Sequence, residues 1–541
     1  MKRIITTVFG LFICVVTAQA QRGGNDWMTD NADAQRTATI KVDAKINRDS
    51  VARPGAVQLL WKYKVKNAPK GLNNLTPPAT LERLIGYKGF RMLGFFGASD
   101  DTLITIDTDL GRFEWEKKLP VAASTFPSTL ACPGGMTTSV IRPTITAIAP
   151  GGGGLGPGRN TPAKSSVGAP LEGATTLANV RPQQVPPPGT PPGTQPSQAP
   201  RPNQPPMGGS FGGSAQLIYA LASDGKLHSM HLSGGQEFKP AVQFLPAGAN
   251  ASGLIIANGR AYAVTTNGCN GTMNGLWAYD FEASKAVRWK GNIAGSVGAA
   301  FGGDGTIYVT TNEAAEGAPA MSIIALDPAT LQTKSTYTTS RIFASSPVVF
   351  EHKGKTLVAA AAIDGAIHLV DAANMSTALS VTPATAKGAA PGSLASYVDR
   401  DGVRWVLVAH TGALPAGFTG SATKGAILAY KVGDDGKLVP DWASRDLTSP
   451  LTPTVINGVI IAISSGEFKT NDNKMTAAMR AARSGRAVIY LLDGSSGKEL
   501  WSSGTTVTSF ARGNALSGGM GQFYLTTYDG TIWAFGFPME H

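Results

Sequence analysis

Val488-Ile489-Tyr490-Leu491-Leu492-Asp493-Gly494-Ser495-Ser496-Gly497-Lys498-Glu499-Leu500-Trp501 is the stretch that decides the fold. It reads as an apolar strand ending in Asp, a polar turn carrying a Gly, and a second strand carrying a Trp. The same order occurs at Leu103-Ile104-Thr105-Ile106-Asp107, followed by Gly111 and Trp115. Asp280 with Trp289 gives a third copy. A strand-only unit of roughly 40–50 residues repeated along a chain indicates a β-propeller.

Working outward from these copies, the apolar runs divide into units. They span Leu84 to Leu119, Ser128 to Leu245, Ser252 to Trp289, Gly295 to Tyr337, Ser345 to Val381, Pro391 to Leu447 and Ser449 to Trp501. A last unit, Thr508 to Phe537, stops before its own Gly and Trp. An orphan strand at Val57 to Val65, with Trp61, supplies the missing outer strand and removes an exposed sheet edge. The expected fold is therefore all-β: an eight-bladed β-propeller of four-stranded antiparallel blades, its last blade closed by the N-terminal strand. The propeller occupies residues 57–541.

Composition agrees with an all-β repeat protein. Charged residues make up 15% of the 541, below the roughly 25% of ordinary domains, and 65 glycines suit many tight turns. Residues 1–20 read as a signal peptide, with Lys2 and Arg3, an apolar run from Ile4 to Val16, and Ala18-Gln19-Ala20 as cleavage site. That run is too short to span a bilayer, which takes about 20 residues. The expectation is a periplasmic or secreted monomer that is not an integral membrane protein. Without Lys2 and Arg3 the chain carries 45 basic and 36 acidic residues, or +9. No dense basic block accompanies that charge, and export argues against nucleic acid.

Residues 21–56 form a polar N-terminal lead. Residues 142–214 are rich in Pro and Gly and too poor in bulky apolar groups to offset their ordering entropy, so they read as a disordered insertion. This insertion falls between the first and second strands of the second unit.

The repeated residues have structural roles. Each Asp caps a turn by accepting backbone N–H bonds, and each Gly supplies positive φ. Each Trp wedges between blades while its N–H finds a carbonyl. Trp442 is expected to act alike, and weaker contact between blades is expected after Asp327 and Asp371, where the Trp is missing.

These residues, above all Asp493 to Trp501, resemble the repeat of the pyrroloquinoline quinone propeller superfamily. That superfamily holds quinone-dependent alcohol dehydrogenases and also non-catalytic propellers such as the outer-membrane assembly scaffold. The resemblance implies, for catalytic members, adjacent cysteines near the cofactor and Ca²⁺ held by hard oxygen ligands. Here no Cys-Cys occurs and no haem motif suggests an internal electron acceptor. Glu467, in Ser464-Ser465-Gly466-Glu467, is the nearest carboxylate candidate. No cofactor and no metal are expected, and quinone with Ca²⁺ belongs to the alternative reading.

Loop lengths point to one face. The enlarged second-to-third-strand loops are 267–274, 312–320, 411–424 and 466–486, all on one rim of the channel, where binding usually sits. Strand ends place Thr266, Thr311, His410, Ser465 and Thr527 at equivalent positions, followed by Asn267 and Asn312. They are candidates for contacting a ligand, or they satisfy turn amides. Residues 474–483 have helical composition and form a lid, a partner contact or a solvated turn of helix. Cys132 and Cys269 fall on this rim in neighbouring blades, so they form a disulfide or remain two thiols.

The expected function is an exported, non-catalytic binding or scaffolding module with a small ligand or an envelope protein on that rim. The alternative is a divergent quinone-dependent alcohol or sugar dehydrogenase.

Overall fold

The architecture comes from a computed structural model that describes residues 26–86, 89–121, 128–144, 217–385, 392–469, 472 and 474–538. The expected signal peptide and nearly all of the Pro/Gly insertion lie outside the described residues. Eight sheets form an eight-bladed propeller. Six have four strands, blade 7 has five, and blade 2 has three. In blade 2 the first strand shrinks to a bridge between Ile141 and Tyr219.

Each blade is an antiparallel meander running outward from the channel. Third strands such as Ile367–Asp371 are buried throughout, because blades cover both of their faces. Outer strands such as Arg112–Lys118 are largely exposed and carry the charges. The strand Gln58–Lys64 pairs antiparallel with Thr531–Gly536, so the first outer strand completes the last blade as expected.

The seam repeats the motif. Trp61 donates its indole N–H to the Thr108 carbonyl at 2.8 Å, in the third-to-fourth-strand turn of blade 1. Trp115 does the same to Leu232 of blade 2 at 3.0 Å, and Trp442 to Gly494 of blade 7 at 2.9 Å. Each ring rests on a glycine of that turn. A Cβ on Gly111 would lie 2.5 Å from Trp61, and one on Gly497 2.4 Å from Trp442. Both glycines have positive φ, 62° and 69°. Asp107, Asp280 and Asp493 cap their turns by accepting from Asp109, Glu282 and Ser495 N–H.

Trp289 departs from this pattern. Blades 1, 6 and 7 carry a register shift between third and fourth strands, whereas blade 3 pairs without one from Gly275 to Asp280. Trp289 therefore pairs with Leu276, four residues before Asp280, whereas Trp115 pairs with Thr105, two before Asp107. The Trp289 N–H reaches the Glu316 carbonyl in the enlarged loop of blade 4. Arg260 and Tyr262 take over the usual role, donating to the Pro328 carbonyl of the next turn. Trp501 packs edge-on against Phe523 and Phe535 of blade 8.

The polar lead has a definite place. It runs once around the inside of the channel, meeting the blades in order. The Thr80 amide of blade 1 donates to the Trp27 carbonyl, and Arg142 of blade 2 to Met28. Thr29 donates its hydroxyl to Leu254 of blade 3. Phe301, Val349, Ser396 and Val455 of blades 4 to 7 donate to Ala34, Gln35, Thr37 and Ala38. The Gly521 amide of blade 8 closes the circuit on the Asp43 carboxylate at 2.8 Å. First strands face the channel with an unpaired edge, and the lead satisfies one donor or acceptor on those of blades 1 and 3 to 7 and one just beside it in blades 2 and 8. At Thr39–Ile40 it pairs as a parallel strand with blade 7.

Candidate binding face

Two regions compete for the role of site: the channel axis and the rim of enlarged loops. Inside the channel, Arg36 is completely buried. Its Nε donates to Ala299 at 2.9 Å, Nη2 to Gly253 at 2.8 Å, and Nη1 to the Asp30 carbonyl at 2.8 Å and the Thr29 hydroxyl at 3.0 Å. Burial holds the Asp30 carboxyl above the usual carboxylate range, opposed by the Arg36 charge and by hydrogen bonds from Ser139 and others. Burial likewise raises Asp33, which is bonded to Thr37. The inside of the channel is thus lined by a cross-braced segment of the chain itself.

The rim is where the topology gathers the long connections. Each of the four enlarged loops joins the second and third strands of its blade, so all open on one face. Cys132 and Cys269 are joined there in a disulfide with Cα atoms 5.6 Å apart. Asn267 reinforces it, donating from Nδ2 to the Ala131 carbonyl at 2.8 Å. Thr266 accepts from Asn250 at 3.0 Å.

The other polar strand ends are anchored locally. Asn312 clamps the backbone of Phe343, accepting its N–H at 2.7 Å and donating to its carbonyl at 2.9 Å. His410 Nε2 bonds the Ala413 carbonyl at 3.0 Å, and burial lowers the pKa of the ring. A carbonyl only accepts, so that nitrogen carries the proton. Thr311 is buried, and its hydroxyl finds no partner among the described residues. The structure brings Thr266 and Asn267 together beside the disulfide; Thr311 and Asn312 belong to blade 4, His410 to blade 6 and Glu467 to blade 7.

Glu467 has the richest surroundings. Its side chain is 2% exposed. Oε1 lies 3.0 Å from Arg480 and 3.0 Å from Arg512, and Lys469 adds a third nearby positive charge. Its backbone is fixed at both ends: the N–H donates to Ser465 Oγ at 3.3 Å, and the carbonyl accepts from Ser449 Oγ at 2.8 Å. Gly466, at φ 73°, lets the loop pass the Arg486 carbonyl, which a Cβ would approach to 2.4 Å. Arg480 comes from the short helix Ala477–Arg483, capped by the Thr476 hydroxyl, where helical composition is read in the sequence. Sequence reasoning misses Arg512 altogether, because it enters from the connection between blades 7 and 8, 45 residues away.

This arrangement does not fit Ca²⁺. A calcium ion takes six to eight oxygen ligands, whereas the Glu467 oxygen faces two guanidinium groups and a nearby ammonium. Among the described residues no group of three or more His, Cys, Asp or Glu side chains is placed to hold a metal. No helix among them is long and apolar enough to cross a membrane.

No protein-family model matches the chain, and no curated protein sequence matches it. Similarity emerges at the level of structure. The quinohemoprotein alcohol dehydrogenase from Comamonas testosteroni superimposes with TM-score 0.54 and 14% identity, over 96% of this chain and 81% of that one. A europium-containing methanol dehydrogenase gives 0.53 and 10%, over 95% and 99%. BamB from Moraxella catarrhalis gives 0.47 and 11%, over 90% and 99%. With eight blades closed by the N-terminal strand, the chain shares its overall fold with these two dehydrogenase structures.

Proposed function

We propose that this protein is an exported, non-catalytic binding or scaffolding propeller of the cell envelope, engaging its ligand or partner on the rim of enlarged loops. The observation that carries this reading is the lead. A segment bonded at or beside the first strand of every blade makes the ring a rigid platform and lines its channel with the chain's own atoms. Long loops on such a platform are suited to recognition, and their strand-end side chains are largely engaged in bracing. A soluble ring bearing a signal-like start and a disulfide fits an oxidising compartment outside the cytoplasm.

The alternative, quinone-dependent alcohol or sugar oxidation, draws on the dehydrogenases whose fold this ring resembles. The two separate in one experiment. The purified full-length protein is titrated by calorimetry with pyrroloquinoline quinone and Ca²⁺, then assayed for dye-linked oxidation of alcohols and sugars. The proposal expects no saturable heat and no turnover. Stoichiometric quinone uptake with substrate oxidation would reject it. Fractionation of expressing cells tests the location, with recovery in the cytoplasm alone as the adverse result.

A further inference from the structure

We infer that Arg480, Arg512 and Lys469, organised around Glu467, form a binding site for a small oxyanion carrying two or more negative charges, a phosphate or a dicarboxylate. The inference rests on reading the loop rim as the binding face and names the ligand chemistry of one part of it.

The charge count favours an anion. Three cations face one carboxylate, so the cluster has a net positive charge of two. Like charges gathered this closely repel unless something compensates them. Glu467 compensates through Oε1, which accepts a hydrogen bond from Arg512 Nε and forms an ion pair with Arg480 Nη2, each at 3.0 Å. It therefore fixes two arginine forks in place and leaves most of their donors for another acceptor. A guanidinium carries five donors in a rigid planar fork that matches phosphate and carboxylate oxygens.

Donor satisfaction points the same way. Arg480 Nε is buried and has no hydrogen-bond partner among the described residues. An unmet buried donor is unfavourable, and more so when charged. A bound oxyanion would supply the missing acceptor. Burial and the neighbouring Arg512 charge lower the pKa of Arg480, with Glu467 opposing them. Access exists, since the Arg512 side chain is 33% exposed and Lys469 is exposed at the loop surface.

The site is also built before any ligand arrives. Ser465 and Ser449 pin the Glu467 backbone, and Arg480 lies on a capped helix. The adjoining connection carries Phe510 stacked on Tyr528 at 4.6 Å, which stiffens the segment bearing Arg512.

The test uses full-length protein at low ionic strength, titrated by calorimetry with inorganic phosphate and, separately, with succinate. One saturable site is expected for at least one of them, and the stronger binder identifies the oxyanion class. Arg480→Gln and Arg512→Gln should each weaken binding at least about tenfold. Glu467→Gln removes the competing carboxylate and should tighten it, whereas a purely structural ion cluster predicts no binding in any variant. Lys353→Gln, far from the cluster in the sequence of blades, should bind like the parent. Melting curves establish that each variant is folded, and Arg512→Lys should restore part of the affinity. Absence of saturable binding up to ~10 mM, or equal binding by the parent and both arginine variants, would overturn the inference. Either result leaves the quinone titration untouched, so the two readings fail separately.

Discussion

Arg36 Nε donates to the carbonyl of Ala299 across 263 residues of sequence, joining the N-terminal lead to the first strand region of blade 4 from inside the channel. The same guanidinium also binds Gly253 of blade 3 and the lead's own Asp30 and Thr29. A single side chain therefore bolts the lead to two blades.

Arg36→Met is expected to destabilise the protein strongly. It strips a charge-assisted donor from three buried carbonyls and leaves Asp30 without its nearby cation, and breaking a buried charged network typically costs about 3–5 kcal/mol. Chemical denaturation with tryptophan fluorescence checks this. A change under about 0.5 kcal/mol would mean the lead is not part of the folded core.

The glycine beneath each wedged Trp gives a graded prediction. Gly259 has φ 75° and open space around it, so Gly259→Ala should cost only the left-handed penalty, about 1–2 kcal/mol. Gly497 adds a collision with Trp442, so Gly497→Ala should cost more, about 3 kcal/mol. Parallel melts of the two variants test the ordering.

Most of this ring is legible in the sequence because its blades are local. Strand, turn Asp, Gly and Trp fall within a dozen residues, so the motif, the closing strand and the face of each long loop follow from order alone. The lead is not legible, because it has no period of its own. Each of its residues is placed by a different blade, and short polar residues such as Thr29, Gln35 and Thr37 carry no sign of burial. Trp289 does wedge against the next blade with its N–H on a carbonyl, but at the enlarged loop: the register shift that turns Trp115 and Trp442 toward the next turn is a pairing property, absent from blade 3. Glu467 is visible as a lone carboxylate, but Arg512 joins it only through tertiary packing.

Acid should weaken the fold through His368. Burial, aided by the positive charge of Arg341, lowers its pKa to about 4, and Nδ1 shares a hydrogen bond with Tyr337 at 2.9 Å. A histidine with a depressed folded pKa contributes its stability fully above about 6.5, the unfolded value. That contribution is lost as pH falls toward 4, because only the unfolded chain takes the proton. The slope approaches about 1.4 kcal/mol per pH unit. Melting temperature measured from pH 7 to pH 5 should fall, and His368→Gln should flatten the dependence.

Reduction of the Cys132–Cys269 bond opens a loop of 137 residues. A tether of that length restrains the unfolded chain, and its loss is expected to cost about 2–4 kcal/mol. Melts with and without dithiothreitol, compared with Cys269→Ser, measure it. The parent under reducing conditions and the variant should coincide.

The most direct test of the account is native-state hydrogen exchange across residues 27–43 and the first strands of blades 5 to 7, read by mass spectrometry. If this segment lines the channel and receives bonds from successive blades, the Val349, Ser396 and Val455 amides that bond to it should be protected to nearly the level of global unfolding. The Ala38 amide, bonded to Asn31 within the lead, should be equally slow. Exchange of these amides within seconds, while the strands Leu103 to Asp107 and Val488 to Asp493 remain protected, would show a lead outside the ring and contradict the account.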